Sequence, residues 1–519
     1  MNLYQVFSQQ IARQPDAIAI IDAIRERSWT FTEIENASAN MAARLAAAGL
    51  RQGDGVLLLV PMSIDLYVTL LACFRLGLAS VIVDPSAGRE YIDRCCRLYP
   101  PRAFIATPRA HLLRLGVPAL REIRYHFSTS RLVPGTAHLP LDKRARGAAL
   151  CAEVPDSQAA LISFTSGTSG QPKVAMRSHG FLLEQHRVIN RNQRATAGSS
   201  SLTLFPAFVL SNLAAGITSI LADVDLRQPQ RIDVIELLRA LRRHKPDSLG
   251  LQPVVMARLI EFCRRSGQQL EGSFTVYSGG APVFPGLLER FRQIAPEARL
   301  VSVYGSTEAE PIALSEYASE QVDAANRCDK GLLAGRPVPE IELRIVRIDE
   351  NRDQHVLDRD SFDAMCLSDG AIGEIVVSGN HVLPSYLNGD GDHANKYRVA
   401  GSSWHRTGDA GSIDSAGRLW LAGRCAARIE DERGTRYPLG IEASATEFAG
   451  VERAALIGHH GQRLLVIECH QAQRGLVEEQ VRESRIADEI DDLRFLSRIP
   501  VDRRHNGKID YPRLHELLN

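Results

Sequence analysis

Short, continuous apolar runs alternate with stretches of helical period along much of this 519-residue chain, and that alternation constrains its fold most strongly. Residues 56–60 (Val-Leu-Leu-Leu-Val) and 79–83 bracket a segment, 65–77, with apolar positions at helical spacing. The same texture returns at 202–205, 248–251, 274–278 and 300–303. A strand that is apolar at every position needs cover on both faces, and helices in the connections supply it. Such units build parallel sheets with right-handed crossovers. The predicted fold class is α/β, with a large N-terminal domain of parallel-type sheets covered by helices. In such sheets ligands bind beyond the carboxyl ends of strands, so the polar, glycine-bearing sequence after 251, 278 and 303 is where a site is expected.

Local signals place a helix over 3–14 and a strand over 17–22. A long helix is expected to enter through Thr32, with Glu35 three residues on, and to stop at Gly49. Residues 102–156 show no regular pattern. The helix expected over 232–244 carries Arg239, Arg242, Arg243 and, just beyond, Lys245, read as a solvated basic face. From about residue 340 the texture changes to short strands at 342–348, 374–378, 411–413 and 419–421, with Asp, Gly and Asn turns between them. The polar stretch 349–370 reads as a surface excursion. The expected organisation is a large domain over 1–423, whose residues 340–423 form a β-rich subdomain, and a small mobile α+β domain over 424–519.

Sixty-one basic residues balance 61 acidic ones, so net charge does not point to nucleic acid or an anionic membrane as partner. The nine cysteines are scattered, with no C-x-x-C pair, which reads as reduced thiols. The first residues lack the basic and apolar regions of a signal peptide. The longest apolar candidate, 70–83, is interrupted by Arg75, so no transmembrane segment is expected. Together these lead to the expectation of a soluble, cytoplasmic protein.

Chemistry concentrates first in residues 162–179, ISFTSGTSGQPKVAMRSH. The loop Thr165-Ser166-Gly167-Thr168-Ser169-Gly170 offers hydroxyls and a flexible backbone that suit phosphate oxygens, and Lys173 adds a positive charge. The spacing is not that of the P-loop, where Lys follows the last Gly directly. A flexible linker is the plain alternative, and the flanking apolar runs argue against it. Four more motifs follow in order. Ser278-Gly279-Gly280-Ala281-Pro282 and Val303-Tyr304-Gly305-Ser306-Thr307-Glu308 each come directly after a strand. Trp404-His405-Arg406-Thr407-Gly408-Asp409 is followed by Gly423-Arg424, and Arg503-Arg504-His505-Asn506-Gly507-Lys508 stands near the end.

In this order and spacing the motifs resemble the adenylate-forming superfamily of acyl-CoA synthetases, peptide-synthetase adenylation domains and luciferases, across nearly the whole chain. The resemblance implies an AMP-forming ligase that binds ATP and Mg²⁺ and activates a carboxylic acid as an acyl-adenylate. It implies that Thr165–Lys173 holds the outer phosphates, that Thr307 donates to the α-phosphate and that Glu308 holds Mg²⁺. It further implies that Tyr304 stacks on adenine beside Gly279, Gly280, Ala281 and Pro282, with Gly305 in the same turn. Asp409, helped by Arg424, would take the ribose hydroxyls, and Lys508 would stabilise charge at the α-phosphate and the acyl carboxylate.

Two departures bear on substrate and acceptor. No charged residue lies between Leu202 and Leu221, so a substrate ammonium would stand unpaired there. An apolar acid, fatty or 3-hydroxy fatty, is therefore expected along Phe205, Phe208 and Val209, with His179 counted in the same pocket. Ala426 occupies a hinge position where acyl-CoA synthetases carry a charge, and Ile429-Glu430 stands where Ile-Lys is common. The segments FPAFVLSN, YGSTEAEPIA and VDRRHNGKI are similar to those of β-lactone synthetases of bacterial olefin biosynthesis. That branch closes a 2-alkyl-3-hydroxy acid on its own hydroxyl and needs no CoA. Transfer to CoA or to an acyl carrier protein is the alternative acceptor chemistry, and a non-catalytic nucleotide-binding relative is the alternative of another class.

Overall fold

The apolar runs become buried strands, as their texture requires. The structure is a computed structural model of the 519-residue chain, describing every residue except 145–149, 167–171, 194, 223–231, 318–326, 350–355 and 503–506. The chain divides into two units, Met1–Arg227 with Asp233–Gly250 and Asn380–Asp392, and Gln228–Ile232 with Leu251–Gly379 and His393–Asn519.

In the first unit a seven-stranded sheet runs in the order Ala137–His138, Tyr125–Ser128, Ala103–Ala106, Gly55–Leu59, Ala79–Ile82, Ala159–Ser166, Pro172–Ser178. Its pairings are parallel except the last, which is an antiparallel hairpin. Three of its parallel strands come from 102–156, where the sequence shows no clear period, the third only two residues long. The four-residue strands Ala103–Ala106 and Tyr125–Ser128 are too short for alternation to show, and the first is buried at every position. A second parallel set joins Ile18–Asp22, Thr218–Leu221, Ser200–Thr203 and Ser248–Leu251.

Helices Phe31–Ala47 and Ile64–Arg75 contribute Phe31, Ile34, Tyr67 and Phe74 to the same core. Arg75, which interrupts the apolar run, is 1% exposed. Its guanidinium reaches Glu35 at 2.9 Å and lies 4.3 Å from the centre of the Tyr4 ring. The helix entry is corrected by two residues. Thr30, not Thr32, is the N-cap, in a reciprocal box with Glu33.

The second unit opens with the parallel pair Thr275–Gly279 and Arg299–Ser306. It then turns antiparallel through Ala309–Glu316, Leu332–Pro337, Leu419–Arg424, Ser402–Ile413, Gly373–Ser378 and Glu342–Val346. This is the β-rich texture expected beyond residue 340, although 411–413 proves to be only the end of a 12-residue strand. The polar excursion over 349–370 contains a helix, Arg359–Met365, whose Phe362 is fully buried against Trp404, with ring centres 4.9 Å apart. A single anchoring aromatic in a charged stretch leaves no periodic signal.

Toward the C-terminus a separate three-stranded sheet forms from Val451–His459, Gln462–Cys469 and Asp492–Leu496. Alternate residues of Val451–His459 face opposite sides. Leu456 packs with Ile441, Val477 and Val481, while Ala455 and Ile457 pack with Ile499 and Leu514. Among the described residues no helix is long and apolar enough to cross a membrane.

Candidate active site

Thr165 pairs with Lys173 and Ser166 with Pro172 across the hairpin at the edge of the seven-stranded sheet. Gly167, Thr168, Ser169 and Gly170 lie outside the described residues. The Lys173 ammonium stands 5.6 Å from the centre of the Tyr386 ring. Its aliphatic stem runs over Gly391, which has φ +95°, and a Cβ at that position would come 3.0 Å from Lys173 Cδ. Only glycine is at ease with both constraints.

In the second unit, parallel pairing sets Gly279 opposite Val303. A Cβ on Gly279 would meet the Val303 carbonyl oxygen at 2.7 Å, so the close approach of these strands requires glycine. Gly280 follows with φ +82°, and Ala281 and Pro282 continue the turn. The neighbouring Ser278 hydroxyl is buried and has no hydrogen-bond partner among the described residues, leaving a donor at this strand end. Thr307 and Glu308 are the two turn residues joining Arg299–Ser306 to Ala309–Glu316, where Ser306 stands opposite Ala309. The Ser306 hydroxyl accepts the Glu308 N–H at 3.2 Å, and Glu308 is 8% exposed. Gly305 precedes the turn where a Cβ would come 2.9 Å from the Ala309 carbonyl oxygen.

Asp409 is the best-supported side chain of the site. Antiparallel register sets it opposite Arg424, whose Nη1 donates to Oδ1 at 2.7 Å. The Tyr304 hydroxyl donates to Oδ2 at 2.8 Å. The Thr407 hydroxyl accepts the Asp409 N–H at 3.1 Å and itself donates to the Ile375 carbonyl at 2.8 Å. Asp409 raises the pKa of Arg424 above its ordinary value. Burial, and then Asp409, push Tyr304 well above the usual phenol value. Both partners therefore remain donors near neutral pH.

Beneath this turn Arg406 and Glu374, each with a side chain 2% exposed, form a buried ion pair. Arg406 donates from Nε at 3.0 Å and from Nη2 at 2.7 Å to Glu374 Oε2, and its guanidinium lies 4.7 Å from the centre of the Tyr397 ring. Glu374 Oε1 accepts the Gly408 N–H at 3.3 Å, where φ is +70°. The sequence reading missed this support. The motif around Arg406 is polar and gives no sign of its burial, and the carboxylate a buried guanidinium demands arrives only through strand register.

Of the side chains expected to line an acyl pocket, Phe205 and Phe208 keep partly open faces at the start of helix Pro206–Ala215, with rings 5.6 Å apart. Val209 and His179 are fully buried. His179 Nδ1 accepts the Leu3 N–H at 3.1 Å, and its ring meets Phe74 edge-on at 6.1 Å. Burial pushes its pKa down to about 4. His179 is thus a neutral core residue of the first unit. Ala426 lies in the short turn Cys425–Ala427, and Glu430 pairs with Arg428 at 2.8 Å.

Lys508 is exposed, but its backbone is held. Its N–H donates to Asp502 Oδ1 at 3.0 Å, its carbonyl accepts the Asp502 N–H at 2.8 Å, and Val501 bridges Ile509. Arg503 to Asn506 lie outside the described residues.

In the second unit the strand-end glycines, Asp409 and Arg424 form a set suited to a nucleotide's ribose, and in the first unit Lys173 offers a cation suited to phosphate. Comparison with known proteins agrees. The family model described as AMP-binding enzyme matches residues 7–387. An olefin beta-lactone synthetase of Stenotrophomonas maltophilia is 32% identical over 512 residues, covering 93% of this chain and 90% of that protein. One from Xanthomonas campestris pv. campestris is 29% identical over 516 residues, covering 93% and 90%. In fold, ATP-bound MatB of Rhodopseudomonas palustris matches at a TM-score of 0.79 and 20% identity, covering 100% of this chain and 99% of that one. The chain belongs to the AMP-binding enzyme family and is an ATP-using, AMP-forming ligase that activates acids as adenylates.

Proposed function

We propose that this ligase activates an apolar 3-hydroxy fatty acid and then closes it to a β-lactone. The observation that carries this reading is likeness over nearly the full chain to proteins named olefin beta-lactone synthetases. The uncharged stretch around Phe205 and Phe208 and the uncharged hinge residue Ala426 support it. The carboxylate attacks the α-phosphorus, the bond to the β-phosphate oxygen breaks, and pyrophosphate leaves. The substrate's own 3-hydroxyl then attacks the acyl carbon, loses its proton and expels AMP. Holding both groups on one molecule makes the second step intramolecular, so no thiol acceptor is needed.

In this reading Thr165–Gly170 and Lys173 hold the outer phosphates, and Thr307 donates to the α-phosphate. Tyr304 and the Gly279–Pro282 turn flank adenine, while Asp409 with Arg424 receives the ribose hydroxyls. Glu308 suits Mg²⁺, which takes one or two protein carboxylates plus phosphate oxygens. Mg²⁺, when bound, supplies neutralisation of phosphate charge. Lys508 neutralises charge at the α-phosphate and carboxylate from a small mobile domain beginning at Arg424. The enzyme would work in the cytoplasm.

The deciding measurement is mass spectrometry of products after incubation with ATP, Mg²⁺ and a 2-alkyl-3-hydroxy fatty acid, with and without CoA. AMP and a CoA-independent product lighter than the acid by one water are expected. An acyl-CoA formed only when CoA is present would assign the acceptor step to a thiol instead. Absence of AMP would overturn the substrate class.

A further inference from the structure

The three-stranded sheet near the C-terminus is sandwiched, and one hydrogen-bonded group spans its edge. Helix Pro438–Ala445 covers one face through Ile441 and Ala445, and helix Tyr511–Leu518 covers the other through Leu514. Val451–His459 is one of the two edge strands, so its outward N–H groups have no strand to pair with among the described residues. Glu442, 2% exposed, meets this edge. Its Oε1 accepts the Leu456 N–H at 3.1 Å and the Tyr511 hydroxyl at 2.7 Å. Among the described residues Glu442 pairs with no cation. The carboxyl is thus buried for two hydrogen bonds, one to each layer, a placement that costs desolvation and is offset only if both bonds form.

Tyr511 comes three residues after Lys508. The intervening chain is tied throughout. Val501 bridges Ile509, the Asp510 N–H donates to the Pro500 carbonyl at 3.0 Å, and Asp510 caps helix Tyr511–Leu518. The Lys508 segment therefore has one rigid end, and the Glu442–Tyr511 bond fixes that end to the opposite layer.

We propose that Glu442 and Tyr511 are a positioning pair for acid activation, holding the Lys508 segment in register against the small sheet, and this rests on Lys508 being the catalytic lysine. The Tyr511 hydroxyl is committed to the buried Glu442 carboxylate, so the pair acts through Lys508 and not on ATP binding. Misplacing a catalytic group by about 1 Å costs up to roughly 100-fold in rate.

The test measures ATP–pyrophosphate exchange with a 3-hydroxy fatty acid in native protein, Y511F, E442Q and K508A, together with amide hydrogen exchange. Y511F is expected to lower kcat at least about tenfold with KM for ATP within about twofold. Exchange at the Asp502, Lys508 and Asp510 amides should quicken while the Gln462–Cys469 strand keeps native protection. E442Q keeps an acceptor oxygen and should show a smaller loss with the same split between kcat and KM. If Y511F does not fold, E442Q carries the test. K508A abolishing exchange while both other variants keep native kcat would overturn the positioning role alone. K508A with native exchange would overturn Lys508 as catalytic, and the pair's role with it.

Discussion

At Asp409 three local choices converge. A 12-residue strand delivers it opposite Arg424, a hydroxyl from Thr407 holds its backbone, and Tyr304 holds its second oxygen. Each carboxylate oxygen has one fixed donor and keeps further lone pairs for a ligand's hydroxyls. Replacing Asp409 by Ala should raise KM for ATP roughly 10- to 100-fold, the effect of losing a charge-assisted hydrogen bond worth about 1.5–3 kcal/mol. Steady-state kinetics at saturating acid would read it, and a native KM would remove Asp409 from the ribose site. The Thr-Gly-Asp motif was legible because each of its residues has a distinct polar use. The Glu374–Arg406 pair beneath it was not, since its partners lie 32 residues apart and meet only through strand register.

Among elements, the entry to helix Phe31–Ala47 shows how local signals can be degenerate. Thr30-Glu33 and Thr32-Glu35 are both a threonine followed three residues later by a glutamate. Strand Arg27–Thr30 pairs with Ile18–Asp22 up to Thr30, which forces the helix to begin there. Glu35 is then free for Arg75, a residue whose burial nothing nearby in sequence announces. The Pro172–Ser178 strand offers a direct experiment. Gly391→Ala would place a methyl against the Lys173 stem at a backbone angle that disfavours alanine. We expect kcat/KM for ATP to fall severalfold, with a larger fall in K173A, and an unchanged value would detach Lys173 from the nucleotide.

On the scale of the molecule, the largest burial shifts among groups titrating between pH 4 and 7 run in opposite senses in the two units, outweighing the smaller contrary shifts of Asp65 in the first and His459 in the second. In the first unit burial depresses His179 and His186 to about 4 and lowers His111 and His126. A base whose folded pKa lies below its unfolded one stabilises above the unfolded value, near 6.5, and loses that stability as pH falls toward 4. In the second unit burial raises Glu442 to about 7 against its Tyr511 and Leu456 bonds. An acid raised in this way stabilises fully below its unfolded value, near 4.5, and loses the contribution as pH climbs to 7. Lowering pH from 7 to 5 should therefore weaken the first unit and strengthen the second. Thermal unfolding followed by calorimetry is expected to resolve into two transitions that separate on acidification. A single transition moving as one would contradict this.

By itself the sequence determined the covered parallel strands, the β-rich texture beyond residue 340, the order of motifs and hence the adenylate-forming class. All of these follow from periodicity or from residue types needed at fixed local spacing. Tertiary structure alone decided that Arg75 and Arg406 are buried with carboxylate partners, that His179 is core, and that Glu442 reaches across a sheet edge to Tyr511. The reason is that a polar side chain's burial depends on a partner brought by pairing and packing from far along the chain, and such separation leaves no local period to read.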